Sequence, residues 1–268
     1  MNSPIGWPGG KKNLVTRLID RIPTHRLYVE VFCGSAKLLF AKPKSEYEVI
    51  NDLNSDLVNF FKVVKYRPSS LAEIVTRSLV SRLMFKEMRY ATLREMDDEL
   101  YRAYRFLYLL WFSYGTKGQH FASWKPWNGR VVRKNLTLVR QALVETADRL
   151  HNTLIEQLDF ERVIERYDSP LTFFYCDPPY YNFRDNALYR PMPPERYERL
   201  FELIGAAKGK FLVSLDRCPE VIELCRTHQM FTESVRTVYS LGHSAKQVTE
   251  LLIGNYRFSP TAKPAVAL

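Results

Sequence analysis

The feature that most narrows the fold is an alternation of short apolar runs with helical patterns. Residues 27–32, 48–50, 153–158, 171–176 and 211–215 each read as a buried strand running into a polar or Gly-containing turn. Between them lie helical patterns at 55–65, 195–207 and 219–228, and a first helix over 11–22. That helix carries Leu14, Leu18 and Ile22 in register and is stopped by Pro23. Strand and helix in turn predict an open, mostly parallel α/β sheet. Two further β-rich runs, 232–239 and 248–256, meet at a turn around Gly242 and predict an antiparallel edge hairpin.

Between about residues 68 and 150 the pattern changes to long helices rich in Arg and Tyr, interrupted by an aromatic, polar stretch at 115–129. Most of the charge surplus sits there. The whole chain has a net charge of +10, and residues 62–149 hold 17 basic against 8 acidic side chains. Helices often wear Lys and Arg simply as a solvated surface, but the same concentration is also the footprint of a polyanion-binding module. The expected organisation is a discontinuous sheet domain (1–65 and 151–258), an inserted basic helical domain (66–150) and a loose tail (259–268).

Composition excludes several classes. At 46% hydrophobic and 25% charged residues, the chain is a globular protein and not a disordered one. Its longest apolar run, 106–112, is far short of the roughly 20 residues that span a bilayer. Residues 1–12 lack the apolar centre of a signal peptide. Cys33, Cys176, Cys218 and Cys225 have no paired CxxC spacing, so neither a zinc site nor a disulfide framework is expected. The expected setting is reducing and cytoplasmic, with no membrane association and a monomer by default.

Chemistry concentrates in Asp177-Pro178-Pro179-Tyr180, directly after the strand at 171–176. Open α/β sheets bind ligands at the carboxyl ends of their strands. Two prolines stiffen the turn and remove two N–H donors, leaving carbonyl acceptors beside a carboxylate. Such a cluster suits a planar group bearing an NH₂. An aromatic amine is a weak nucleophile because its lone pair is delocalised. The Asp177 carboxylate and the Pro178 carbonyl, each taking one N–H, favour a pyramidal nitrogen and stabilise the positive charge that grows as a methyl group arrives. Stacking on Tyr180 would hold the base, worth about 1–3 kcal/mol. An Asp-capped Pro-Pro turn that merely ends a strand is the plainer alternative.

A second constellation is the strand and turn containing Phe32-Cys33-Gly34-Ser35-Ala36, which allows close backbone approach of a ligand. Asp52 follows the next strand and is placed for ribose hydroxyls, or else caps the helix at Asn54-Ser55-Asp56.

The ordered set Trp7-Pro8-Gly9-Gly10-Lys11, Phe32 to Ala36, Asn51-Asp52-Leu53-Asn54, Asp159-Phe160, Asp177 to Tyr180 and the closing Glu250 to Tyr256 resembles DNA adenine-N6 methyltransferases of the Dam type, the D12 class. The resemblance covers both flanks, and the middle matches poorly. It implies a Rossmann-like methyltransferase sheet with an inserted helical DNA-recognition module, and S-adenosylmethionine as methyl donor without a metal. It further implies that Trp7 and Lys11 border the donor, with Lys11 available to its carboxylate. Phe32, Gly34 and Ser35 would line the methionine end, Asp52 the ribose, and Asp159 with Phe160 the adenine. Asp177 would serve both the donor pocket and the target amine, with Pro178 and Tyr180 completing the catalytic turn. Structural readings stand beside these: Trp7 as core, Lys11 as a surface charge and Asp159 as the cap of a helix beginning at Phe160. Ala36 departs from the second glycine of many relatives.

The expected activity is base flipping and N6 methylation of adenine in double-stranded DNA, with phosphate contacts from Lys117, Lys125, Arg130, Arg133 and Lys134. Residues 110–118 are the candidate target-reading segment. The alternatives are methylation of the cytosine N4 amine and a DNA-binding protein that has lost catalysis. RNA or protein-amide methylation fits less well because relatives of that kind carry Asn in place of Asp177. A metal-dependent nuclease lacks its carboxylate cluster. The recognition sequence does not follow from these residues.

Overall fold

A computed structural model describes residues 1–7, 11, 14–91, 98–122, 136–181, 191–241 and 244–258. It contains one seven-stranded sheet in the order β3-β2-β1-β4-β5-β7-β6. The strands are β1 (Leu27–Glu30), β2 (Tyr47–Asn51), β3 (Thr153–Glu156), β4 (Thr172–Cys176), β5 (Lys210–Asp216), β6 (Phe231–Leu241) and β7 (Ser244–Gly254). The first five are mutually parallel, β1 pairing with both β2 and β4, while β7 runs antiparallel to β5 and β6. The predicted hairpin therefore closes one edge, with β7 inserted between β5 and β6. Chain order reverses between β1 and β4, which makes the carboxyl ends of those two strands the switch point where such sheets open a crevice.

All five residues of β4 are buried, as a parallel strand covered on both faces requires. Alternation then sends Tyr28, Phe173, Tyr175, Leu212 and Leu252 into one core and Val29, Phe174, Cys176, Val213 and Ile253 into the other. The second core is covered by α8 (Phe160–Tyr167), α9 (Pro194–Ala206) and α10 (Pro219–Thr227). The first is covered by α1 (Val15–Ile19), α2 (Lys37–Ala41), α3 (Ser55–Tyr66), α4 (Pro68–Thr76), α5 (Arg82–Tyr90), α6 (Glu99–Trp111) and α7 (Leu136–Leu150).

The described part of the basic middle is mostly helical, apart from a 3₁₀ turn at Tyr114–Thr116 and a bridge between Ser113 and Phe121, and is continuous with the sheet's own core. Leu107 of α6 and Leu143 of α7 belong to the same buried cluster as Tyr28 and Phe173. One buried ion network pins α7 down. Arg149 pairs with Glu48 of β2 and donates to the Leu39 carbonyl at 2.7 Å, and Lys42 reaches the same Glu48 at 2.5 Å. Burial pushes Glu48 up, but Arg149 and Lys42 outweigh it and hold the carboxyl below its ordinary value.

Two expected elements are shorter than their patterns. The first helix is Val15–Ile19: Leu14 is its N-cap and the chain leaves the helix at Asp20, before Ile22. Strand β1 ends at Glu30, because the chain bends into the turn that carries Phe32 to Ser35.

Candidate active site

Strand periodicity selects the face on which the chemistry lies. Glu30 of β1, Tyr175 of β4, Ser214 of β5 and Glu250 of β7 all alternate with residues of the second core, so they project to the side of the helical layer. Asp177 follows β4 on the same alternation. Tyr175 and Ser214 hydroxyls lie 3.0 Å apart, and Ser214 donates to Asp177 Oδ1 at 2.9 Å. Burial pushes the Tyr175 phenol well above its ordinary range, so it stays protonated and can donate into this chain.

Lys11 completes the cluster from the N-terminal segment. Its Nζ sits 2.9 Å from Asp177 Oδ1 and 3.5 Å from Glu250 Oε2, and donates to the Tyr180 hydroxyl at 3.0 Å. Tyr180 in turn donates to Glu250 Oε1 at 2.6 Å. Burial raises the Asp177 carboxyl, with Glu250 adding to the rise and Lys11 and Ser214 opposing it. Asp177 keeps 23% of its side-chain surface exposed, while Lys11 and Glu250 are enclosed. Asp177 is thus the partly open carboxylate of the cluster, and its supports are enclosed. The following turn is fixed on its other side: Tyr197 donates to the Pro179 carbonyl at 2.7 Å, and the Tyr181 amide to Asp216 at 2.9 Å.

At the neighbouring strand ends, Asp52 joins two turns by accepting from the Gly34 amide (Oδ2, 3.0 Å) and the Asn54 amide (Oδ1, 3.0 Å). Helix α3 is capped by Asn54, which accepts from Asp56 and Leu57, so the capping role weighed for Asp52 falls to its neighbour. Burial pushes the Asp52 carboxyl up, and its backbone donors oppose that. Gly34 has φ +46°, and a Cβ there would stand 2.8 Å from Trp7 Nε1, so this position admits only glycine without displacing the indole. Ser35 is buried in the same turn. Phe32 and Phe160 rings approach to 5.7 Å, and the Arg196 guanidinium lies 4.2 Å over Phe160.

The sequence-predicted residues around the crevice are therefore gathered at adjacent strand ends. Some side chains have partners the sequence did not suggest. Lys11, expected at the donor carboxylate, rests on Asp177 and Tyr180. Asp159 caps α8 through the Glu161 amide at 3.0 Å and pairs with Arg196 at 2.5 Å. Ser214, Arg196 and the role of Glu250 went unassigned. The available signal was a charged or hydroxyl residue inside an otherwise apolar strand, as in Val213-Ser214-Leu215 and Glu250-Leu251-Leu252. Lys117 is half-buried just beyond a 3₁₀ turn at Tyr114–Thr116. Lys125, Arg130, Arg133 and Lys134 lie outside the described residues. Among the described residues no group of three or more His, Cys, Asp or Glu side chains is placed to hold a metal, and no helix is long and apolar enough to cross a membrane.

A reversed-order α/β sheet with an acceptor-rich turn at its switch point is an architecture that receives a ligand at the strand ends. Residues 7–192 match the family model described as D12 class N6 adenine-specific DNA methyltransferase, and the chain belongs to that family. Among curated proteins it is 28% identical over 277 residues to the Type II methyltransferase M1.LlaDCHI of Lactococcus lactis subsp. cremoris, covering 93% of this chain and 94% of that protein. It is 28% identical over 188 residues to the DNA adenine methylase of Vibrio cholerae serotype O1, covering 65% of this chain and 63% of the relative. A DNA adenine methylase of Salmonella typhi is 24% identical over 267 residues, 92% of each chain. The family's adenine specificity does not favour the cytosine-N4 or non-catalytic alternatives.

Proposed function

We propose that this chain transfers a methyl group from S-adenosylmethionine to the N6 amine of an adenine flipped out of double-stranded DNA. The observation that carries the reading is the position of Asp177. Its carboxylate stands at the switch point, partly open to the crevice, on a Pro-Pro turn that three strands and Lys11 hold in place. Acceptors fixed in this way meet the positive charge that develops on the amine.

The residues fit the donor. Phe32, Gly34 and Ser35 would hold its methionine end beside Trp7, Asp52 its ribose, and Phe160 with Asp159 its adenine. Asp52 suits that role because the Gly34 and Asn54 amides already fix its orientation. The donor supplies an electrophilic methyl group. Asp177 and the Pro178 carbonyl would orient the target amine towards it, and the Tyr180 ring would wall the base.

Residues 66–150 would read the target, with 1–65 and 151–258 forming the catalytic part and Lys117 contributing to phosphate binding. Unmethylated genomic DNA incubated with labelled donor, then digested to nucleosides, tests the activity. Label in N6-methyladenine is the expected result. Label in N4-methylcytosine, or none in any base, overturns it.

A further inference from the structure

An oxygen of a carboxylate accepts through two lone pairs, and at Asp177 Oδ1 both are engaged. Lys11 Nζ and the Ser214 hydroxyl each lie 2.9 Å away. The ammonium therefore holds one acceptor site of the carboxylate that is to receive the target amine, and Oδ1 has no further site to offer while Lys11 stays. Ser214 sits on an inner strand and its hydroxyl is tied to Tyr175, so it has little freedom to leave. Lys11 has a four-carbon stem and a second carboxylate nearby.

That second carboxylate is Glu250, fully buried in β7, with Oε2 at 3.5 Å from Lys11 and Oε1 accepting from Tyr180. A buried carboxylate is costly to keep unless it is paired, and an apolar residue of similar size would satisfy packing at this position. We propose that Glu250 is a positioning residue, the seat onto which Lys11 withdraws from Asp177 when the adenine amine enters. The proposal rests on the adenine-methylation reading.

A movement of less than about 1 Å turns the 3.5 Å contact into a close ion pair. It loosens the 2.9 Å contact of Lys11 to Oδ1 while the ammonium stays inside the protein and compensated. It also draws a positive charge away from a nitrogen that itself becomes positive during methyl transfer, an opposing interaction that is strong in a poorly solvated site. Throughout, Tyr180 remains anchored by its hydrogen bond to Glu250. No proton or covalent bond changes hands in this step.

A double-mutant cycle on the full chain tests it. Glu250→Gln keeps an acceptor for Tyr180 but removes the charge that receives Lys11. The expected result is a fall in kcat of about tenfold or more, with donor affinity by calorimetry within about twofold of wild type. In a Lys11→Met background the same change should cost less than about twofold, because the group it serves is gone. Multiplicative losses in the double variant, a wild-type kcat for Glu250→Gln, or a loss confined to donor binding would each overturn the proposal. Should Glu250→Gln not fold, Glu250→Asp provides the second arm. It must retain kcat within about threefold in the wild-type background, and a larger loss counts against the proposal. A wild-type enzyme that leaves adenine unmethylated would instead remove the functional reading beneath it.

Discussion

The crevice at the ends of β1 and β4 and the helical layer beside it lie on the same side of the sheet, and both bury ions. In the helical layer the ions hold elements together. Arg149 fastens α7 to Glu48 and to the end of α2, Arg102 of α6 pairs with Asp56 of α3 at 2.9 Å, and Lys65 donates to the Thr153 carbonyl at 2.8 Å. In the crevice Lys11, Asp177, Tyr180 and Glu250 form a shared network around one partly exposed carboxylate. The Arg149–Glu48 pair is closed off from solvent, whereas the crevice cluster keeps Asp177 partly open. The difference also corrects what a charge count conveys. Of the 17 basic residues in 62–149, Arg102 and Arg105 pair with Asp56 and Arg149 pairs with Glu48, carboxylates that lie outside that segment. The electrostatic footprint is smaller than the composition suggests.

The largest effect should come from opening the crevice cluster. Asp177→Ala removes the acceptor for the target amine and should lower methyl transfer by about 10³-fold or more, roughly 4 kcal/mol of transition-state stabilisation. DNA retention in a gel-shift assay should remain within a few-fold of wild type, because the phosphate contacts are assigned to the helical layer. Equal loss of binding and turnover would erase the distinction between the two regions.

The converse test strikes the helical layer. Arg149→Met leaves the buried Glu48 with Lys42 as its remaining cation and the Ser45 amide as a donor, frees the Leu39 carbonyl, and should destabilise the protein by about 3 kcal/mol in urea unfolding. The crevice geometry does not depend on Arg149 directly, so turnover per folded molecule should be retained. Loss of turnover without loss of stability would mean that α7 serves the crevice and not the fold.

The sheet, its edge hairpin and the turn at Asp177 were legible because each depends on local pattern. Apolar runs with two covered faces, Gly242 between two β-rich runs, and two successive prolines act within a few residues of chain. The partners were not legible. Lys11 and Asp177 are 166 positions apart in sequence, and only the register of β5 and β7 against β4 brings Ser214 and Glu250 to the same face. The same limit explains Arg149, whose surface-like helical context concealed a partner 101 residues away. Asp159 was half legible: the cap through Oδ1 is local, whereas the pairing of Oδ2 with Arg196 depends on tertiary packing.

Between the two regions lies Glu30, buried in β1, where Tyr28 donates to Oε1 at 2.6 Å and the Leu39 amide at 2.5 Å. Burial pushes its carboxyl up to about 7, against the opposing effects of Tyr28, Leu39 and Lys42. With the folded value above the ordinary 4.5, the folded chain holds a proton that the unfolded chain releases. Stability should therefore fall as pH rises from about 4.5 to about 7 and then level off, by up to about 3 kcal/mol from this group. Glu30→Gln should remove that slope, matching wild type near pH 4 and exceeding it at pH 8. Unchanged slopes would place Glu30 with the compensated ions of the helical layer.

The smallest expected effect concerns Ala36, which stands where many relatives of this family resemblance have glycine. It is buried and adopts φ 50° and ψ 38°, the left-handed conformation that glycine takes without strain. The departure from the motif thus preserves the backbone shape of the donor turn, at a strain of about 1–2 kcal/mol. Ala36→Gly would relieve that strain but expose the space of a buried methyl, worth about 0.8 kcal/mol, and add about 0.5–1 kcal/mol of unfolded-chain entropy. These contributions nearly cancel, and the unfolding free energy should change by less than about 0.5 kcal/mol. A gain above about 1 kcal/mol would show that the crevice stores backbone strain as well as buried charge. A loss of that size would show that Ala36 is held by packing, as the helical layer is.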